Sequence, residues 1–317
     1  MITITTTIMI IMIIMTAVAI TTAQVISSMK AMHMTTLRMT WEGSNASLNS
    51  LVAMAQALQA DGTGLQMYCC IDLSLTSDGT NFWGSEALAY AYGYASGQTV
   101  VSALKPYGVT VFECGNELDT KNNMNSAGAT GYYRYYFNNS QWPILRGIVG
   151  GCVAAVQAQG CLAASPACTI CGVGALDMLW NGANPDGTTG HAPVKWDITA
   201  FHNYQPYGPL PAVQTYTSGP YVNVYQYLNK AYGKPIVISE FNGGAGNTEA
   251  QNATWCTRVM NEAYNLRYKY NIMGMIIYQL FQGDPWGMIA TPSTATPSNP
   301  LGTTVQSLMN SLTDTGV

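Results

Sequence analysis

Short apolar runs bounded by turn residues alternate with longer amphipathic stretches along almost the whole chain, and no other feature limits the fold so tightly. Strand-like runs fall at 36–41 (TLRMTW), 65–72 (LQMYCCID), 109–117 (VTVFECGNE), 168–177 (CTICGVGALD), 196–202 (WDITAFH), 235–240 (PIVISE) and 272–280 (IMGMIIYQL). Helical spacing of apolar residues marks 21–33, 47–60, 86–104, 131–159 with a break near Pro143, 220–232, 249–270 and 303–312. A Ser cap opens the second of these helices and Asp61-Gly62 closes it. Strands and helices in strict alternation give parallel strands joined by right-handed crossovers. Seven strands are read directly, and an eighth closes a (β/α)8 TIM barrel, an α/β fold. The rival, a doubly wound open sheet, lacks a GxGxxG turn after any early strand.

The eighth strand has to come from the N-terminus. Ile8 to Val18 is an apolar run, and Ala17-Val18-Ala19 has the small-x-small form of a secretory cleavage site. The first cation is Lys30, so the charged start of a signal is missing. Residues 1–20 therefore carry two open readings, a signal-like segment or an atypical first barrel strand. The run is too short for a membrane span, and no stable membrane partner is expected. Residues 21–317 read as a single (β/α)8 catalytic domain, because no linker or longer repeat interrupts the alternation.

Composition narrows the partners. Charged residues are 9% of the chain, against roughly 25% in ordinary soluble proteins. With a net charge of −4 and only 12 Lys plus Arg, there is no cationic surface for nucleic acid. A neutral, hydrogen-bonding partner such as a sugar suits this surface. The eight cysteines show no paired CxxC arrangement with His ligands, so neither a metal nor any cofactor is expected. Cys161 and Cys168 flank a small loop and are candidates for a disulfide in an exported protein.

Two of the sixteen acidic residues stand out. Glu117 closes VTVFECGNE and Glu240 closes PIVISE. In a parallel barrel the C-terminal strand ends form the rim on which active sites are built. With one strand ahead of TLRMTW, the two glutamates sit on the fourth and seventh strands and converge over the barrel axis. Glycosidic cleavage needs such a pair: one carboxyl protonates the departing oxygen while the other attacks, or activates water at, the anomeric carbon. Their mutual repulsion is expected to raise one pKa and keep that residue protonated.

Phe-Glu-Cys-Gly-Asn-Glu at 112–117 resembles the Asn-Glu motif of clan A glycoside hydrolases, and the extra Glu113 is similar to family 39 in particular. Ile-Ser-Glu-Phe-Asn at 238–242 resembles that family's nucleophile strand, and Asp-Ile-Thr-Ala-Phe-His-Asn-Tyr at 197–204 its sixth strand. The resemblance runs in order over about 21–290. It implies an O-glycosyl hydrolase retaining configuration by double displacement, probing β bonds of an oligo- or polysaccharide. In it Glu117 is the acid/base, Glu240 the nucleophile and Asn116 the holder of the sugar 2-hydroxyl. Gly115 departs from the family's Trp, and Leu118 from its Pro.

Other residues take supporting places. Glu113 shares strand parity with Glu117 and points inward, where Arg38 is its natural partner or reaches the nucleophile instead. His202 and Tyr204 form a pair suited to orienting the nucleophile or a sugar hydroxyl. Trp41, Trp180 and Trp286 lie at or just beyond strand ends, where flat indole faces stack on sugar rings. Tyr278 and Gln279 also face the pocket. Gly243, Gly244 and Gly246 favour a tight turn over a phosphate site, since Glu240 stands beside them. A Schiff-base aldolase is the first rival, but no lysine occupies a strand end. The others are a non-catalytic glycan-binding barrel, which would not need both glutamates, and a transglycosylase, which uses the same residues. Export, extracellular or periplasmic, accompanies the signal-like reading and three Asn-x-Ser/Thr sites at Asn45, Asn138 and Asn252.

Overall fold

A computed structural model of the chain describes residues 10–12, 20–121, 124, 137–169, 173–204, 212–214, 221–244, 246–281, 287–289, 297 and 299–312. In chain order the elements are β1 (Ile10–Met12), α1 (Thr22–Ala31), β2 (Thr36–Trp41), α2 (Asn45–Asp61), β3 (Gln66–Ile71) and α3 (Glu86–Leu104). After a 3₁₀ turn come β4 (Val111–Glu113), α4 (Trp142–Ala158), β5 (Leu162–Ala164), β6 (Cys168–Thr169), α5 (Val173–Asn181) and β7 (Thr199–Tyr204). The chain continues through β8 (Ala212–Gln214), β9 (Tyr221–Asn223), α6 (Val224–Tyr232), β10 (Ile236–Asn242), α7 (Glu249–Tyr270), β11 (Ile272–Tyr278) and α8 (Pro300–Ser311).

The main sheet is parallel, in the order β5-β4-β3-β2-β1-β11-β10-β7-β6. Its two end strands, β5 and β6, are consecutive in the chain, parted only by Ser165, Pro166 and Ala167. Ala164 bridges to Ile198 just before β7, and Ala167 bridges to Asn116 just beyond β4. Residues 162–169 thus act as one interrupted fifth strand between β4 and β7, and the sheet closes as a (β/α)8 barrel. Pro166 supplies the interruption, since it has no N–H to give the ladder. Ile10–Met12, from the apolar N-terminal run, pairs in parallel with both β2 and β11 and takes the first-strand position.

Strand parity divides the core. Tyr68, Ala164, Ala167, Ile198, Ala200, Val237 and Ile276 fill the barrel interior as one cluster. Alternate residues such as Leu37, Met39, Phe112, Ile238 and Ile277 pack outward against the helices. Each such fully buried aliphatic or Phe side chain contributes about 1.5–3 kcal/mol over leaving it in water. The helices start where local chemistry says they should. Ser44 and Ser85 accept from the third residue on, and Thr21 and Thr248 form capping boxes with Gln24 and Gln251. Among the described residues no helix is long and apolar enough to cross a membrane.

The crossovers α3 and α4 touch backbone to backbone. A Cβ at Gly93 would strike the Ile148 carbonyl, and one at Gly151 the Tyr90 carbonyl. Buried Arg146 of α4 reinforces the contact, donating Nε and Nη2 to Glu86 at 2.7 and 2.8 Å and Nη1 to Asn184 at 2.6 Å.

Several expectations need correction. Of the strand read at 168–177, Cys168–Thr169 is strand, residues 170–172 lie outside the described ones, and Val173–Asn181 is helical, buried from Val173 to Leu179 and so without a one-sided pattern to reveal the helix. Pro143 does not break a helix but starts α4, where its missing N–H costs nothing; residues 125–136 lie outside the described ones. The strand at 196–202 begins at Thr199 and runs on to Tyr204. The segment read as the start of a helix at 220 opens with β9, which pairs antiparallel with β8. Cys161 and Cys168 are free thiols: they flank opposite ends of the extended fifth strand, far beyond disulfide reach. Cys171 lies outside the described residues.

Candidate active site

At the C-terminal mouth of the barrel, β2, β4, β7 and β10 bring a compact set of charges together. Arg38, in mid-β2, is fully buried and points inward. Its Nη2 donates to Glu113 Oε1 and, at 2.9 Å, to Asn116 Oδ1, and its Nη1 donates to Glu240 Oε1 at 2.8 Å. The two readings of Arg38 are thus both realised: one guanidinium fork binds Glu113 and Glu240 at once. Tyr68, the register partner of Arg38 on β3, donates its hydroxyl to Glu113 Oε2 at 2.8 Å. Buried Glu113 therefore has a donor on each oxygen, as an interior carboxylate requires.

Glu240 lies within β10 and is 5% exposed. Besides Arg38 it accepts from Tyr204 Oη at 2.6 Å. Burial, then the Glu240 charge, pushes the Tyr204 phenol well above its ordinary range, so it is a neutral donor. His202, two residues earlier on β7, is fully buried. Its Nε2 stands 3.6 Å from Glu240 Oε1, too far for a hydrogen bond but close for a charge.

Glu117 is held differently. The pleat ends at Glu113, Gly115 has φ 120°, and Glu117 itself has φ 47°, a left-handed conformation rarely taken by residues with a Cβ. Glycine at 115, where the resembling family has Trp, is what this backbone demands. The turn is pinned by Glu117 N–H donating to the Ala167 carbonyl at 2.6 Å. Parity alone did not predict that Asn116 and Glu117 both turn into the site; the positive φ values do it. The Glu117 side chain is 30% exposed and meets His202 Nδ1 at 2.8 Å through Oε1. As a carboxylate only accepts, Nδ1 carries the proton.

One imidazole thus lies between the two glutamates. Contacts of 2.8 and 3.6 Å and the width of one ring separate their nearest oxygens, less than the ~9.5 Å outer limit for paired carboxyls in glycoside hydrolysis. Burial works against a charged His202, but Glu240 and then Glu117 outweigh it and hold the imidazole above its ordinary pKa. Burial likewise pushes Glu117 up, yet the His202 hydrogen bond and charge, with Arg38 and Lys121 behind, hold it below the usual carboxylate range. The expectation that like-charge repulsion keeps one glutamate protonated is therefore corrected for Glu117, because an imidazolium stands closer to it than the other carboxylate.

The aromatic rim differs from expectation. Trp41 has the outward parity of Leu37 and Met39, is 7% exposed, and donates Nε1 to the Ser44 carbonyl at the start of α2. Trp180 is on α5, not at a strand end, and packs with Trp196 and Tyr232 at ring centroids of 4.8 and 5.3 Å. Trp286 lies outside the described residues. Tyr278 is half-buried with its ring 6.2 Å from Tyr204, at the mouth, and Gln279 beside it is buried. Sequence reasoning missed Tyr68, although its register with Arg38 follows from aligning the two strands. It also missed the Lys121–Asp72 ion pair on the rim beside Glu117. Among the described residues no group of three or more His, Cys, Asp or Glu side chains is placed to hold a metal.

No protein-family model matches the chain, and no curated sequence does either. Solved structures do match. A family 39 glycoside hydrolase from Bacteroides cellulosilyticus WH2 superposes with a TM-score of 0.63 at 14% identity, over 96% of this chain and 64% of that one. A family 5 xyloglucanase from Paenibacillus pabuli gives 0.61 at 15% identity, over 93% and 91%. An endo-β-1,3-glucanase from Amycolatopsis mediterranei, in complex with laminarihexaose, gives 0.50 at 14% identity, over 94% and 98%. At such identities the likeness establishes the fold alone: this chain has the (β/α)8 barrel fold of these structures.

Proposed function

We propose that the chain is a retaining glycoside hydrolase that cleaves β-linked oligo- or polysaccharide, with Glu240 as nucleophile and Glu117 as general acid/base. The observation that carries the reading is the meeting of carboxylates from the fourth and seventh strands about one imidazole at the barrel mouth. A nucleophile must be held still, and Arg38 and Tyr204 each bind one oxygen of Glu240. An acid/base must reach the leaving oxygen, and the partly exposed Glu117 stands at the edge of the pocket. Asn116 gives its oxygen to Arg38, which leaves its amide N–H groups for a sugar 2-hydroxyl, a contact that strengthens in the transition state.

Attack by Glu240 on the anomeric carbon, with proton delivery to the departing oxygen, forms a glycosyl ester; water then cleaves it with Glu117 as base. The activities of the similar structures, a xyloglucanase and a β-1,3-glucanase, support a β-linked polymer as substrate. Such polymers lie outside cells, and export is part of the proposal. So is the assignment of 21–317 as one catalytic domain. The test is covalent trapping with 2-deoxy-2-fluoro aryl β-glycosides, followed by peptide mass mapping. An adduct on Glu240 is expected; an adduct elsewhere, or no turnover of any aryl β-glycoside or β-glucan, overturns the reading.

A further inference from the structure

The buried mouth of the barrel has an uneven charge count. Three carboxylates, Glu113, Glu117 and Glu240, face a single guanidinium, Arg38, and that guanidinium is already shared between Glu113 and Glu240. Among the described residues, the other basic group in direct contact is His202, buried with Nδ1 on Glu117 and Nε2 turned to Glu240. Lys121 stands further out, tied to Asp72.

We infer that His202 stores the proton that Glu117 delivers, so that the acid of the reaction is the Glu117–His202 pair rather than a lone carboxyl. This deepens the catalytic assignment above and rests on it. In the free enzyme His202 is an imidazolium and Glu117 a carboxylate. The groups facing His202 are Glu117 from the loop after β4, Glu240 from β10, Arg38 from β2, and the neutral phenol of Tyr204 on its own strand. The Glu240 charge favours the charged ring, and Glu117 adds its hydrogen bond and its own charge.

The proton is thereby tied to the nucleophile's charge. As a Glu240 oxygen lone pair forms the bond to the anomeric carbon, the C–O bond to the leaving group breaks and its electron pair moves to the leaving oxygen. The Nδ1–H proton of His202 passes to the Glu117 carboxylate, and Glu117 hands a proton on to that oxygen, ending the step again as a carboxylate. Charge balances: imidazolium and two carboxylates become neutral imidazole, one carboxylate and a neutral ester. The loss of negative charge on Glu240 removes one of the two carboxylate attractions that kept the proton on His202, so release coincides with attack. Glu117 is then an unencumbered base beside a neutral ring when water arrives, and the water's proton returns through Glu117 to Nδ1. His202 is a positioning residue in this scheme, acting only through Glu117.

The chain has only three histidines, so side-chain ¹⁵N NMR resolves them. At pH 7 we expect a protonated His202 in the free enzyme and a neutral one in the 2-fluoroglycosyl-enzyme, with His33 and His191 unchanged. A neutral His202 before labelling, or a protonated one after it, overturns the inference. Failure to label Glu240 overturns the catalytic assignment itself, and this inference with it. Kinetics give a second readout with His202→Asn, which keeps an N–H donor near Nδ1 but cannot titrate. For substrates with poor leaving groups, the alkaline limb of kcat/KM is expected to fall by at least about one pH unit, because an isolated carboxyl loses its proton earlier. A merely structural role would lower kcat and leave the limb where it was, and that result also overturns the inference.

Discussion

Glu240 and Glu117 face the same cavity from two differently built supports. Glu240 is part of a regular strand, 5% exposed, and clamped by a guanidinium and a phenol. Glu117 stands past the end of its strand in a left-handed turn, its side chain 30% exposed, bonded to a single imidazole. The difference fits the double displacement proposed above. There one carboxylate would stay in place until it attacks, and the other would pass a proton in each of the two steps. A permanent cation serves the first task and a titratable one the second.

The largest expected effect comes from removing the fixed member. Glu240→Ala should lower kcat by on the order of 10⁵-fold, the scale found when a covalent nucleophile is deleted. Added azide should restore turnover with a glycosyl azide of inverted configuration, which product analysis would reveal; azide without effect would break the comparison. Glu117→Ala should cost about 10²–10⁴-fold on substrates with poor leaving groups and far less on activated aryl glycosides. Steady-state rates across a leaving-group series check this, and equal losses throughout would contradict the role.

Asp177 sharpens the comparison from outside the site. It is buried between α5 and α6 with two phenols, Tyr227 and Tyr232, donating to its two oxygens. Burial outweighs those bonds and pushes it up to about 6. Two phenols alone therefore do not offset the burial of this carboxylate, whereas Glu240 has a guanidinium beside its phenol. The folded-state value lies above the unfolded one, so the contribution to stability is full below pH 4 and is lost as pH climbs through about 6. Asp177→Asn removes that loss. Denaturant unfolding at pH 4 and pH 7 should show the variant gaining roughly 3 kcal/mol relative to the parent between the two. Tyr204→Phe is expected to have the smallest effect, about 10–100-fold in kcat, since it deletes one hydrogen bond to a charged group worth about 1.5–3 kcal/mol.

Much of the fold could be read in advance because its signals are local. The helix at 249–270 announces itself through Thr248 and Gln251 at its start, and β2, β3 and β10 through apolar runs of strand length. What escaped was decided by contacts distant in sequence or by backbone geometry. The helix at Val173–Asn181 is apolar on every side, and the arrangement of Asn116 and Glu117 depends on a glycine at φ 120°. The carboxylates, Arg38 and the His202–Tyr204 pair were legible because strand ends and parity fix where a barrel puts them. The partner of His202 was not, since the choice between Glu117 and Glu240 turns on ångströms. Trp41 does end its strand, but Trp180 was misplaced for the reverse reason: an aromatic in an apolar run has the same letter on a strand or on a helix.

The glycine-lined junction of α3 with α4 has a mechanical meaning for catalysis. These two crossovers bracket the strand that leads to Glu117, and with their main chains in contact they act as a single beam rather than two separate struts. Any side chain inserted at Gly93 or Gly151 would splay that beam, and the misalignment would reach Glu117 while leaving the opposite wall, where Glu240 is seated, on its own foundation.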